Sequence, residues 1–148
     1  MTTRMSAAEY RARFGVARSP LHRIPLRQHR EGTMNKTEQA YANHLRHQQL
    51  LGVPILAWYY EPAKWKLPGT RNTFTPDFLV RYKDGTEEWV EVKAAWRVKG
   101  GSKYEYKPGY MGDARTKLKT FAGSFPHLTV RLRWYHPAHG VWEEERIL

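Results

Sequence analysis

The chain is predicted to be an α/β sandwich in which a central mixed β-sheet is flanked by helices, and three observations predict it. Apolar residues recur at helical spacing in two segments, near residues 35–51 and 112–122. Between and after them lie runs rich in β-branched and aromatic residues, bounded by Gly and Pro. The resulting α-β-β-β-α-β order, with one further strand at the end, packs helices onto a sheet.

Each element has a local reason. Asn35 to Leu51 reads as a helix with Met34, Tyr41, Ala42 and Leu45 on one stripe, stopped by Gly52 and Pro54. Ile55 to Glu61, rich in Ile, Trp and Tyr, is the first strand, continuing brokenly through Trp65-Lys66-Leu67. Asn72 to Tyr82 is the second strand and Glu87 to Ala95 the third. Gly112 to Ala122 forms the second helix, with Ala114, Leu118, Phe121 and Ala122 on its buried stripe. Leu128 to Tyr135 and Val141 to Ile147 are strands joined through Pro137-Ala138-His139-Gly140.

Two regions divide the chain: a basic arm over residues 1–33 and a domain over residues 34–148. The arm carries Arg4, Arg11, Arg13, Arg18, Arg23, Arg27 and Arg30 within its first thirty residues, against Glu9 alone. Ser6-Ala7-Ala8-Glu9 resembles a capping box, which predicts a short helix through about Phe14 before Pro20 and Pro25 break regular structure. Such an arm suits phosphate contact as well as it suits a solvated tail.

Composition narrows the function. Across 148 residues the net charge is +11 and the pI about 10, pointing to a polyanionic partner. The absence of cysteine excludes a disulfide framework, a zinc–thiolate site and a cysteine nucleophile. No apolar run approaches the roughly 18 residues of a membrane span, so no membrane partner and a cytoplasmic location are expected.

The most informative residues are Thr75-Pro76-Asp77-Phe78, followed fourteen positions after the aspartate by Glu91-Val92-Lys93. Strand side chains alternate faces, so Glu91 and Lys93 share one. A carboxylate and an ammonium side by side, near a second carboxylate, can hold Mg²⁺ and a phosphate together. The intervening turn decides whether Asp77 joins them. With Lys83-Asp84-Gly85 as a three-residue loop, Tyr82 pairs with Thr86 and Asp77 lies opposite Glu91. A two-residue Asp84-Gly85 turn would set Asp77 opposite Val92, on the other face. The three-residue loop is expected, because facing carboxylates imply a cation between them. Pro76 cannot donate to a ladder, which predicts a bulge or strand edge just before Asp77. Ordinary polar residues on a solvated sheet face would give the same pattern.

Glu38 sits within the apolar stripe of the first helix, where a carboxylate is costly unless compensated. It either pairs with a lysine or projects toward Asp77 and Glu91. His44 and His47, three apart on that helix, form a weak metal pair, and His136 and His139 in the last turn are weak metal candidates that read better as turn residues. Arg97 to Tyr110 interleaves Arg97, Lys99, Lys103 and Lys107 with Tyr104, Tyr106 and Tyr110, a composition suited to phosphate contact and base stacking.

Together, Glu38, Thr75-Pro76-Asp77-Phe78-Leu79, Glu91-Val92-Lys93 and Gly112-Asp113-Ala114-Arg115-x-Lys117 resemble the PD-(D/E)XK nuclease superfamily. Within it the chain is most similar to phage endonuclease I-like, Holliday junction-resolving proteins. Tyr59-Tyr60-Glu61-Pro62, Trp65-Lys66-Leu67-Pro68 and Asn72-Thr73-Phe74 carry that closer likeness, which runs from about Lys36 to Trp134. It departs at Ala94, where the family usually has glycine, and in the longer 97–110 segment.

The resemblance implies a restriction-endonuclease-like core and hydrolysis of DNA phosphodiesters with Mg²⁺ or Mn²⁺. It implies Asp77, Glu91 and the Val92 carbonyl as metal ligands, with Glu38 at a second metal or its water. Lys93 would orient the attacking water and stabilise the transition state. Lys117, Arg115 and Lys119 would bind DNA together with Arg97, Lys99, Lys103 and Lys107. Endonuclease I-like resolvases are intertwined dimers acting on branched DNA in phage-infected or prophage-bearing bacteria. A homodimer is therefore expected, with Gly69-Thr70-Arg71 near the crossover and Glu38 able to serve either its own subunit's site or the partner's. A catalytically inactive DNA-binding or assembly module, a nicking enzyme and a sequence-specific endonuclease are the alternatives.

Overall fold

The computed structural model describes residues 34–109 and 112–148. The basic arm, the helix expected to end near Phe14, and Tyr110 lie outside the described residues.

Helix α1 spans Lys36–Leu50 and starts at an Asn35 N-cap. Asn35 Oδ1 accepts the Glu38 N–H at 2.9 Å, while Glu38 Oε2 accepts the Asn35 N–H at 3.0 Å. This reciprocal capping box satisfies two N–H groups that no helical carbonyl can reach. Strands β1 (Ile55–Tyr60), β2 (Trp65–Lys66), β3 (Thr73–Phe74), β4 (Phe78–Tyr82) and β5 (Glu87–Val92) follow. Next come the short pair β6 (Ala95–Arg97) and β7 (Tyr106–Pro108), helix α2 (Asp113–Ser124), and strands β8 (Val130–His136) and β9 (Val141–Ile147).

Five strands form the central sheet in the order β1-β4-β5-β8-β9. All neighbouring pairs are antiparallel except β5 with β8, which α2 connects as a parallel crossover. The sheet is therefore mixed and the class α/β, as expected. Among the described residues, no helix is long and apolar enough to cross a membrane.

The sheet is covered on both faces. Tyr41, Ala42 and Leu45 of α1 pack on Trp58, Tyr60, Phe78, Val80, Val90 and Val92. Leu118, Phe121 and Ala122 of α2 pack on Tyr59, Leu79, Trp89, Val130 and Leu132. Alternation along β4 sends successive side chains into opposite layers, so Phe78-Leu79-Val80 reads as a continuous apolar run. Phe121 is fully buried and lies within 5.5 Å, centroid to centroid, of Trp65, Phe74 and Phe125. Phe121→Ala should cost about 3–5 kcal/mol, because these rings cannot collapse into the void. Chemical denaturation measures it, and a loss below about 1 kcal/mol would mean the aromatic layer repacks.

Three expectations about elements are corrected. The stretch Asn72–Tyr82 is two strands, because the chain leaves the ladder at Thr75-Pro76-Asp77; Pro76 lacks the N–H a continuous strand would need. Ala114 is exposed rather than buried, since α2 meets the core only from Leu118 onward. The 97–110 segment is in part a hairpin, with Ala95 opposite Pro108 and Arg97 opposite Tyr106. Trp96 lies against Gly109 so closely that a Cβ there would overlap the indole.

Candidate active site

The β4–β5 turn sets the site's register. Gly85 takes a left-handed φ of 90° and donates to the Tyr82 carbonyl at 3.0 Å, while the Tyr82 N–H donates to Thr86 at 2.9 Å. Residues 83–85 thus form the three-residue loop, and glycine fits because a side chain at that φ is strained. The ladder pairs Arg81 with Glu87 and Phe78 with Val90. One further step in this register brings Asp77 across from Glu91. Asp77 itself precedes β4, and its carbonyl accepts the Glu61 N–H at 2.8 Å. Glu61 has the only positive φ, 43°, among described non-glycine residues, and it turns the chain out of β1 beside the site.

Asp77 and Glu91 are both buried, each with 8% of its surface exposed. Asp77 Oδ2 accepts the Val92 N–H at 2.8 Å, and Glu91 Oε1 pairs with the Lys93 ammonium. Burial and the Glu91 charge drive the Asp77 pKa well above the ordinary carboxylate value, against the Val92 N–H and Lys93. Burial likewise raises Glu91, with Lys93 opposing it and Glu38 adding to it. At Lys93 burial disfavours the ammonium, but Glu91, Asp77 and Glu38 outweigh it and raise its pKa.

Burial is the main reason both carboxyls are raised, so ionising them needs further compensation. Glu91 Oε2 supplies a sharper sign: it is a buried carboxylate oxygen with no well-formed hydrogen bond among the described residues, only the Asp77 N–H acting on the carboxylate. A hard divalent cation takes oxygen ligands and favours the ionised form of each acid, so Asp77 and Glu91 fit such an ion. The contact seen from Val92 is made by its N–H rather than its carbonyl.

Glu38 reaches the same region from α1, and its charge is felt by Asp77, Glu91 and Lys93. Its oxygens are already engaged. Oε1 accepts from Asn35 Nδ2 at 2.9 Å, and Oε2 accepts from the Asn35 N–H and from the Tyr60 hydroxyl at 2.7 Å. Of the two readings of Glu38, the lysine pair is replaced by a capping box and a tyrosine. The Asn35-x-x-Glu38 signal for that box was present in the sequence; the partnership with Tyr60, twenty-two positions away, had none.

The expected DNA-contacting cations fall on two other elements. Arg115 and Lys119 are exposed on α2 and Lys117 is half-buried, and none is among the main charges acting on Asp77, Glu91 or Lys93. Arg97, Lys99, Lys103 and Lys107 are exposed on the β6–β7 hairpin, where the Lys103 ammonium lies 4.8 Å from the Tyr104 ring centroid.

A separate group sits at the β8–β9 turn. His136, His139 and Glu143 offer ligand atoms within 4.8 Å of one another and could hold a metal ion. The two imidazoles stack at 3.8 Å, and His136 Nδ1 accepts the His139 N–H at 3.2 Å. The sequence reading placed both histidines in the turn but missed Glu143, which cross-strand pairing brings back toward them. His44 and His47 belong to no three-ligand group among the described residues; His44 instead packs against Tyr41 and Trp142.

Comparison with known proteins gives no match to a family profile, a curated protein or a solved structure.

Proposed function

We propose that the protein is a divalent-metal-dependent DNA endonuclease with a restriction-endonuclease-like core, acting on branched DNA. The observation that carries the reading is the buried Asp77–Glu91–Lys93 cluster with its Glu91 oxygen that lacks a well-formed hydrogen bond. Burying two acids and leaving one of their oxygens without a well-formed hydrogen bond destabilises a fold. Such an arrangement suits a site that acquires a cation and a phosphate, whereas a module that only binds DNA has no use for acids beside a polyanion.

Asp77, Glu91 and the Val92 carbonyl would hold Mg²⁺ or Mn²⁺, which supplies Lewis-acid polarisation of the phosphate and a more acidic bound water. Lys93, held by Glu91, orients the attacking water and stabilises negative charge developing on the phosphate oxygens. Glu38, fixed by Asn35 and Tyr60, adds negative charge that favours cation capture and holds the start of α1 against the site. The arm, the β6–β7 hairpin and the α2 cations would grip the DNA backbone, consistent with a charge of +11. The reading carries with it a homodimer, whose two-fold axis would match that of a four-way junction, and action inside a phage-infected or prophage-bearing bacterium.

The test is cleavage of a four-way junction and of matched linear duplex, each with Mg²⁺ and with EDTA. Paired, metal-dependent cuts confined to the junction are expected. Equal cutting of both would retain a nuclease and discard branch selectivity, while tight binding with no cutting would favour the inactive module.

A further inference from the structure

A groove of about 1160 Å³ runs along the other side of α1, between the helix and the β8–β9 pair. Its walls include Lys36, Asn43 and His44 from α1 and Tyr135 and Trp142 from the sheet, and it reaches Lys93-Ala94-Ala95 of the proposed active site. Among the described residues none of the side chains lining it is acidic, although Glu88 and Glu144 reach its floor. Arg133 on its floor is already paired, to Glu88 at 3.2 Å and to Glu144 at 2.8 Å. Lys93 is likewise paired, to Glu91, so positive charge toward an occupant comes from Lys36 among the described residues.

The aromatic residues form one connected set. Trp142 touches Tyr41, His44 and Tyr135 at centroid distances of 5.0, 5.7 and 5.7 Å. Tyr41 is buried, and Tyr135 is 44% exposed, so the set runs from the core out to an open ring. Exposed aromatic rings beside a lysine bind nucleobases and phosphates together. A duplex cannot use such a surface, because its base faces are already stacked on one another. An unpaired strand can.

We infer that this groove binds an unpaired DNA strand adjoining the cleaved phosphate, with its bases stacked on Tyr135 and Trp142. The inference rests on the nuclease reading and sharpens it: the substrate is DNA carrying single-stranded or splayed nucleotides next to the cut. Asn43 and Gln48 on the same wall offer amides to base edges.

The test is fluorescence anisotropy with a labelled oligothymidylate and a duplex of equal length, measured in EDTA so that no cutting intervenes. Tyr135→Ala should weaken oligothymidylate binding about ten-fold, within the range of one lost stacking contact, and leave duplex binding nearly unchanged. Tyr135→Phe should retain wild-type affinity, since stacking needs the ring and not the hydroxyl. Trp142→Phe, a milder change at a partly buried position, should give an intermediate loss. Equal losses on both DNAs, or no loss with Tyr135→Ala, would overturn the inference. Cleavage measured separately in Mg²⁺ distinguishes the two readings. Cutting without any Tyr135 effect removes the groove and keeps the nuclease, whereas Tyr135-dependent strand binding without cutting does the reverse.

Discussion

Lys93→Ala should lower the rate of DNA cleavage by about 10²–10³-fold, the usual cost of removing one positioned charge from a transition state. Folding and DNA affinity should stay near wild type, because Lys93 is one of many cations on this chain. A second effect separates a catalytic role from a merely structural one. Lys93 pulls the Glu91 pKa down against burial, so the variant's Glu91 ionises only at higher pH. The residual activity should therefore move toward alkaline pH. Glu91→Gln should show the same loss of rate without that displacement, having no acid left to titrate. Single-turnover cleavage across a pH series measures both, and wild-type rates from either variant would show that the chemistry lies elsewhere.

Asp77→Asn should abolish metal-dependent activity and at the same time make the protein more stable. Burial and Glu91 raise the Asp77 pKa in the folded state, so the native protein holds a proton that the unfolded chain releases. Stability linked to this group is then fully present below the ordinary carboxylate pKa. It is lost as pH rises through the raised one. Asparagine keeps an oxygen for the Val92 N–H and carries no charge to bury. The two proteins should melt together in acid and diverge as pH rises, the variant higher by about 4 °C for each kcal/mol of relieved penalty. Mg²⁺ should raise the melting temperature of the wild type and leave the variant's unchanged. Identical melting curves from acid to neutral pH, with and without Mg²⁺, would show that Asp77 is not a strained ligand.

Both predictions concern residues whose juxtaposition was legible in the sequence. Lys83-Asp84-Gly85 admits a three-residue loop, the loop fixes the register, and the register carries Asp77 to Glu91. Covalent connectivity alone does this, over fifteen residues. The second helix was found from its periodic apolar stripe, although Ala114 was assigned to the core one turn too early. Glu38 marks the limit. Its position on an apolar stripe signalled that it must be compensated, but the compensating hydroxyl belongs to Tyr60 on a strand whose docking against α1 no local pattern encodes.

The chain's alternation, its helical stripes and its turn glycine therefore determined the element order, the mixed sheet and the pairing of the two acids. These follow from steric preferences acting over a few residues. Tertiary packing decided the remainder: the burial of Asp77 and Glu91 that shifts their pKa values, the Glu91 oxygen without a well-formed hydrogen bond, the His136–His139–Glu143 group, and the groove between α1 and the β8–β9 pair. Each depends on which surfaces meet across the sheet, and so on the volumes and charges of residues distant in sequence that no periodicity along one segment records.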